Sequence, residues 1–139
     1  MGQQQLLLII LGTIIVGIAV AVGITMFNDQ AAATNRDEVS NDLVHYASAA
    51  QAYYRRPRIL GGGGGSFTGM TMRSLTAVYQ HPQHLNGSYS LDPDPVGGAP
   101  AFVTLTGEGT ETGNDGVNKI KVVMYVYRDS VKVDGTLGN

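Results

Sequence analysis

The 139-residue chain contains no cysteine, which excludes a disulfide framework, thiolate metal sites and a cysteine nucleophile. Basic residues are scarce as well: nine Lys and Arg against eleven Asp and Glu give a net charge of −2. No basic field therefore favours nucleic acid as a partner. The length suits one domain plus an appendage.

The first 28 residues carry no charged side chain, and Leu6 to Phe27 form an apolar run of 22 residues. A secretory signal peptide needs a basic start and an apolar core of about 7–15 residues, and this segment has neither. In a helix the run would cover roughly 33 Å, against a hydrocarbon core of about 30 Å. It therefore predicts a helix that can span a membrane, and a plain single-pass anchor is the simplest interpretation.

After Phe27 the pattern changes to that of an amphipathic helix. Apolar side chains recur at steps of three and four, with charged residues such as Arg36, Asp37 and Asp42 between them. The recurring apolar positions are Val39, Leu43, Tyr46, Ala47, Ala50, Tyr53 and Tyr54. This stripe predicts one helix face that packs against another part of the chain.

Nothing between Gly23 and Arg56 ends a helix, whereas the residue before Pro57 avoids the helical region. We expect one helix from near the N-terminus to about Arg56, hydrophobic over residues 1–28 and amphipathic over residues 29–56. Such a helix is too long for a compact domain of this size. Its front part must therefore be buried outside its own chain.

Residues 57–139 are expected to form a head domain with a glycine-rich entry. Gly61 to Gly65 are five consecutive glycines, but no strand precedes them and no Gly-Lys-Ser/Thr helix start follows, as a phosphate-binding loop requires. We expect a flexible connection between helix and sheet here. Thr71–Gln80 is expected to form a short helix that ends before Pro82.

Four β-rich runs, separated by turn-forming residues, predict strands in the rest of the chain. They are Ser88–Leu91, Ala101–Thr106, Lys119–Tyr127 and Val131–Asp134. In the third run, alternate side chains from Ile120 to Val126 are apolar and are expected to cover the helix. The predicted fold is α+β: a long N-terminal helix with a small antiparallel sheet packed on its C-terminal half.

Residues that could carry chemistry are few. A metal pair at His81 and His84 is disfavoured because Pro82 stops a helix from aligning them, and acidic residues such as Glu108 and Asp115 match no calcium loop. No nucleophile–base set or pair of general acids stands out. The sequence therefore predicts a protein that is not an enzyme and has no metal, cofactor or small-molecule ligand.

The layout as a whole resembles the type IV pilin family. It comprises an uncharged start, 22 apolar residues, an amphipathic continuation of the same helix, a glycine-rich connection and a small sheet. The resemblance covers the whole chain in layout, and residues 1–56 in specific terms. It implies a subunit that lies in the inner membrane before assembly and then joins an extracellular helical filament. The implied partners are copies of the chain, the inner membrane and the assembly machinery.

In that family the apolar half-helices form the filament core, so the resemblance implies a polymerisation helix near the N-terminus. The residues concerned are Gln5, Leu6, Leu7, Leu8, Ile9, Ile10, Leu11, Gly12, Ile14, Ile15, Gly17, Ile18, Val20, Val22, Gly23 and Ile24. We expect Gly12, Gly17 or Gly23 to mark local loosening, because glycine costs about 1 kcal/mol relative to alanine in a helix interior.

Gln5 occupies the position of a glutamate that family members usually carry, if Met1 is the first residue; cleavage after Gly2 would place Leu7 there. A glutamine can offer a hydrogen bond but no charge. We therefore expect Gln3 to Gln5 to bond to one another, to backbone or to neighbouring subunits. Replacing Gln5 with leucine is expected to weaken assembly moderately rather than abolish it.

Charges along the helix form two zones. Asp37 and Glu38 lie in an acidic zone and Arg55 and Arg56 in a basic one, roughly 20 residues or about 30 Å apart along a helix. They cannot pair within one chain, but copies stacked with an axial offset could bring them together. These four residues are candidate intersubunit charges.

Two other functions stay open from the sequence. One is a pseudopilin of a secretion or competence system, with the same fold and a short fibre. The other is a single-pass membrane protein whose sheet binds an extracellular ligand. Electron microscopy of cell-surface material distinguishes long fibres from monomers that detergent extracts.

Overall fold

A computed structural model describes residues 2–76, 83–113 and 115–137 of the chain. The chain divides into two compact units, Met1–Ala31 and Ala32–Asn139. One helix, α1 (Gly2–Arg55), makes up the first unit and begins the second. The helix expected to reach about Arg56 therefore ends one residue earlier, two residues before Pro57.

The first unit is an apolar helix with exposed side chains. Its large hydrophobic side chains range from 51% exposed at Val22 to 79% at Phe27. The segment has a mean hydropathy of 2.9 over its most apolar 18-residue window, none of it buried. It is the only helix in the described part of the chain that is long and apolar enough to cross a membrane.

The two threonine hydroxyls of the first unit are satisfied within the helix itself. The hydroxyl of Thr13 donates to the carbonyl of Ile10, and that of Thr25 to Val22, each at 2.8 Å. The α-helix is uninterrupted at its three internal glycines, Gly12, Gly17 and Gly23. The loosening expected there is therefore not seen in the single chain.

The second unit consists of the remainder of α1, a 3₁₀ turn, a short helix and one antiparallel sheet. Its elements after α1 are the turn at Arg58–Leu60, α2 (Met72–Thr76), β1 (Gln83–His84), β2 (Gly87–Asp92), β3 (Phe102–Thr112), β4 (Lys119–Tyr127) and β5 (Val131–Leu137). The strands follow one another across the sheet in chain order. The α+β fold with the sheet packed on the helix is confirmed.

The core lies between α1 and one face of the sheet. The predicted stripe is buried from Val39 to Ala50, while Tyr53 and Tyr54 are half-buried and pack against the core. Alternate residues of β4 are buried as predicted, because successive side chains of a strand point to opposite faces. The core side chains from outside α1 are Phe67, Met70, Met72, Leu75, Tyr89, Leu91, Val96, Val103, Leu105, Ile120, Val122, Met124 and Val126.

Strand boundaries agree with the sequence for β4 and differ elsewhere. β3 continues to Thr112 instead of ending at Thr106, because Gly107 and Gly109 belong to the strand and face α1. A Cβ atom at Gly107 would lie 2.6 Å from Cγ1 of Val39, so the glycine permits close approach of helix and sheet. β1 was not predicted; α2 begins one residue later than expected, and residues 77–80 of the predicted helix lie outside the described residues.

The glycine run caps the end of α1. The amides of Gly63, Gly64 and Gly65 donate to carbonyls of the last helical turn and of Arg56, at 2.8–2.9 Å. Gly64 and Gly65 have positive φ, which residues with a side chain rarely adopt. The segment thus satisfies carbonyls that a helix end leaves unpaired, and its expected flexibility stays a prediction.

Candidate functional site: the apolar helix and the helix–sheet network

The proposed polymerisation residues all lie on the first part of α1, from Gln5 to Ile24. Apart from the half-buried Gly23, they are exposed. No face of this segment is charged, so the helix is apolar all round. A helix of that kind is stable only when lipid or other protein surrounds it.

Gln3, Gln4 and Gln5 form the first turn of the same helix and are exposed. Within the described residues, no hydrogen bond from their side-chain amides is present. The bonds expected among them are therefore not made in the single chain, and bonds to neighbouring copies stay a prediction.

The four candidate intersubunit charges are exposed side chains of the second unit: Asp37, Glu38 and Arg55 belong to α1, and Arg56 follows its last residue. Among the described residues none of the four forms an ion pair, in contrast to Arg128 and Asp129, which approach to 3.8 Å. Both zones are therefore accessible to another molecule.

A buried amide links α1 to the β1–β2 turn and to the end of β3. Asn35 is 6% exposed, and its Nδ2 donates to the carbonyl of Asn86 at 2.8 Å and to Oγ1 of Thr110 at 3.4 Å. Its Oδ1 accepts the backbone N–H of Glu111 at 3.3 Å. Burial of an amide is tolerated because its donor and acceptor both have partners.

A second contact lies further along the helix. The hydroxyl of Tyr89 donates to Oδ2 of Asp42 at 2.6 Å, and the amide of Asn86 approaches the same oxygen at 3.4 Å. Burial raises the pKa of Tyr89 far above its ordinary value of 10, and the hydrogen bond to the Asp42 carboxylate raises it further. Burial and the charge of Asp42 also raise the pKa of Tyr46, whose ring lies 5.1 Å from that of Tyr89.

The contact of Asn35 was not predicted, although the position of this residue in the sequence indicates it. Ala32, Asn35 and Val39 continue the apolar stripe towards the N-terminus at steps of three and four, and all three are buried. A polar residue on a buried stripe must find hydrogen-bond partners, so this position predicts an internal contact. Tyr89 and Asp42 gave no comparable signal, because their pairing depends on the tertiary fold.

Two kinds of feature could hold a reacting group in the described part of the second unit: a cluster of metal ligands and a groove. Within the described residues there is no group of three or more His, Asp or Glu side chains that could hold a metal. His81, one of the two histidines considered as ligands, lies outside those residues. An open groove of about 410 Å³ lies at the end of the sheet where β4 turns into β5. It is lined by Tyr54, Gly65, Ser66, Ala99, Pro100, Ala101, Tyr127, Arg128 and Asp129.

A scan against models of protein families and searches of curated proteins and of solved structures found no match.

Proposed function

We propose that this protein is the structural subunit of an extracellular pilus-like helical filament, assembled through the first part of α1. The observation that carries the proposal is the run from Leu6 to Phe27, which is helical, uncharged and exposed on all sides. Full burial of one such side chain is worth about 1.5–3 kcal/mol relative to water. Summed over the run, this free energy requires a surrounding of lipid or of neighbouring copies.

The second part of α1 supports the proposal by joining this helix to a packed domain. Five side chains of the stripe, from Val39 to Ala50, lie in the core beneath the sheet. In this proposal α1 joins neighbouring subunits through its first part and contributes to the core of its own domain through its second part. Such a helix suits a polymer, because it can transmit mechanical load from one subunit to the next. The exposed charge zones at Asp37 and Arg55 add a means of setting the register between copies.

Fibre formation is tested by electron microscopy of cell-surface material, with mass spectrometry of the purified fibres. Long fibres made chiefly of this chain are the expected result. If the chain is instead recovered only as detergent-extracted monomers, it is a single-pass membrane protein and the proposal fails. Short fibres that depend on a secretion system would assign it as a pseudopilin.

A variant pair tests the role of the helix. Ile15→Asp places a carboxylate within the apolar run and should abolish fibres, since a charge in an apolar core costs several kcal/mol. Ile59→Asp is the matched control, because Ile59 is 93% exposed and lies outside the run. Membrane fractionation shows whether Ile15→Asp also blocks insertion. Normal fibres from Ile15→Asp would contradict the proposal.

A further inference from the structure

The last strand of the sheet has an open edge. β5 pairs with β4 on one side, and no strand of the described residues lies on its other side. The amide of Tyr127 donates to the carbonyl of Ser130 at 2.9 Å, so this carbonyl points towards β4. Backbone groups of an antiparallel strand face its neighbour at every second residue. Val131 and Val133 therefore direct their N–H and C=O groups away from β4, to the open edge.

The side chains of these two valines lie on the core face of the sheet but are not covered. Val133 is opposite Met124 and Val131 is opposite Val126, and residues opposite each other share a face. Met124 and Val126 are 0% exposed, whereas Val131 is 41% and Val133 54% exposed. The core therefore ends at β4, and the next strand carries apolar side chains in water. An edge strand of this kind is a template for pairing with another strand.

The other face of β5 carries one charge of each sign. Lys132 lies opposite Tyr125, and Asp134 lies two residues further on. Both charged side chains are exposed. Asp134 accepts the hydroxyl of Tyr125 at 3.0 Å, and a carboxylate has room for further donors. A lysine on an edge strand usually prevents pairing, unless the partner strand places an opposite charge against it.

A second copy of β5 places such a charge there in one antiparallel register. When Val133 of one copy lies opposite Val133 of the other, both outward-facing residues can exchange their N–H···O bonds. The same register places Lys132 of each copy opposite Asp134 of the other. This is a non-hydrogen-bonded pair, in which side chains on neighbouring strands are closest. The strand is therefore complementary to itself in charge and in backbone hydrogen bonding.

Neighbouring registers lack this complementarity. A slip of two residues in one direction places Lys132 opposite Lys132, and in the other direction it places Asp134 opposite Asp134. Like charges directly opposite each other destabilise a pair of strands. A slip of one residue sets outward-facing backbone groups against groups that already face β4, so the hydrogen bonds between copies are lost. The order of residues in β5 thus specifies one register.

We propose that β5 is a docking edge for a second copy of this chain, paired antiparallel about Val133, so that two sheets join into one. The exposed valines of the two copies then cover one another on the core face, and the charges pair on the other face. The contact lies within the second unit and does not rest on the filament. A two-fold contact closes on itself and does not propagate along a fibre. It therefore joins free subunits, or subunits of two separate fibres.

Charge reversal in the full-length chain tests the register. Dimerisation is measured in mild detergent by analytical ultracentrifugation over a range of protein concentrations. Lys132→Asp sets a carboxylate against Asp134, and Asp134→Lys sets an ammonium against Lys132, in both cases twice per dimer. Each variant should dimerise at least about tenfold more weakly than the unchanged chain. An equimolar mixture of the two variants should recover the original affinity, because each acidic edge then faces a basic one.

Two control variants separate the charges from other effects. Tyr125→Phe removes the hydrogen bond to Asp134 without changing a charge, and Lys119→Asp makes the same reversal at an exposed lysine of β4, away from the open edge. Both should dimerise like the unchanged chain.

Three results overturn the proposal. The first is a chain that stays monomeric at every concentration. The second is a dimer that neither reversal weakens, which assigns self-association to another surface such as the apolar helix. The third is a loss in both reversals that the mixture does not restore, because it then reflects damage to the fold. Fibre formation is scored separately by electron microscopy, so failure here leaves the filament proposal intact.

Discussion

The hydroxyl of Tyr89 in β2 lies 2.6 Å from Oδ2 of Asp42 in α1. Tyr89 is buried and Asp42 half-buried, so water competes little for this hydrogen bond. It holds the second strand of the sheet to the helix, beside the ring contact between Tyr89 and Tyr46. The pair joins residues 47 positions apart in the chain.

Tyr89→Phe should therefore destabilise the chain by about 1–3 kcal/mol, because Asp42 loses its closest donor while the ring packing remains. Urea unfolding of the full chain in mild detergent, followed by circular dichroism, measures the change. Tyr125→Phe is the control: its hydroxyl donates to Asp134 at 3.0 Å in an exposed position, so the cost should stay within about 0.5 kcal/mol. Equal losses of unfolding free energy in both variants would contradict the expectation that the buried hydrogen bond contributes more than the exposed one.

Stability should fall at alkaline pH. Burial and Asp42 raise the pKa values of Tyr89 and Tyr46 above 10, so the folded state retains protons that the unfolded state loses above that pH. The free energy of unfolding is then fully present below pH 10 and decreases above it, by at most about 1.4 kcal/mol per pH unit for each tyrosine. Unfolding curves from pH 8 to pH 11 measure this decrease. In Tyr89→Phe the free energy of unfolding should decrease less steeply with pH, so the plots for the variant and for the unchanged chain should converge. Parallel plots would contradict a contribution from the raised pKa of Tyr89.

Close packing of α1 on β3 predicts that Gly107→Ala is disruptive. The added methyl would lie 2.6 Å from Cγ1 of Val39, and a packed core yields to such a group at a cost of about 1–3 kcal/mol or more. Gly97→Ala is the matched control, since nothing lies within 4 Å of its Cβ position. Thermal unfolding measures both. A Gly107→Ala variant as stable as Gly97→Ala would show that helix and strand separate easily.

Charge reversal tests the two zones of α1. Arg55→Glu with Arg56→Glu should lower fibre yield, and adding Asp37→Arg with Glu38→Arg should recover part of it. Exposed pairs are worth only about 0–1 kcal/mol each, but a contact repeated at every subunit adds along a fibre. Fibre yield at low and high salt is the measurement, because salt screens exposed charges. No loss on the first reversal, or a further loss on the second, would leave the charges without an intersubunit role.

Several elements could be predicted from the sequence because local rules decide them. Pro57 places the end of α1, and the alternation in β4 gives both its bounds and its buried face. The extension of β3 could not be predicted, because glycine has a low strand propensity. Gly107 instead allows α1 to approach the strand closely, since it has no side chain. Strand propensity is a property of one segment, whereas the close approach of α1 and β3 depends on both elements.

The candidate functional site likewise has one part that the sequence predicts and another that depends on the fold. Charge and hydropathy alone define the apolar run, since neither depends on the fold. Pairing of Asp42 with Tyr89 requires the helix and the second strand to be in register, which no local pattern encodes. The hydrogen bonds of the glycine connection show the same limit, because the partners of Gly63 to Gly65 are carbonyls at the end of α1.

The order of the strands affects how the second unit folds. Each strand pairs with its neighbour in the chain, so every pairing closes only a short loop and incurs little loss of chain entropy. The long separations occur between helix and sheet, such as the 76 residues between Gln51 and Tyr127. A chain synthesised from its N-terminus completes α1 first, and the hairpins can then condense on that helix one after another. Topologies with such local pairing fold rapidly, which shortens the time that unpaired strand edges are exposed to other chains.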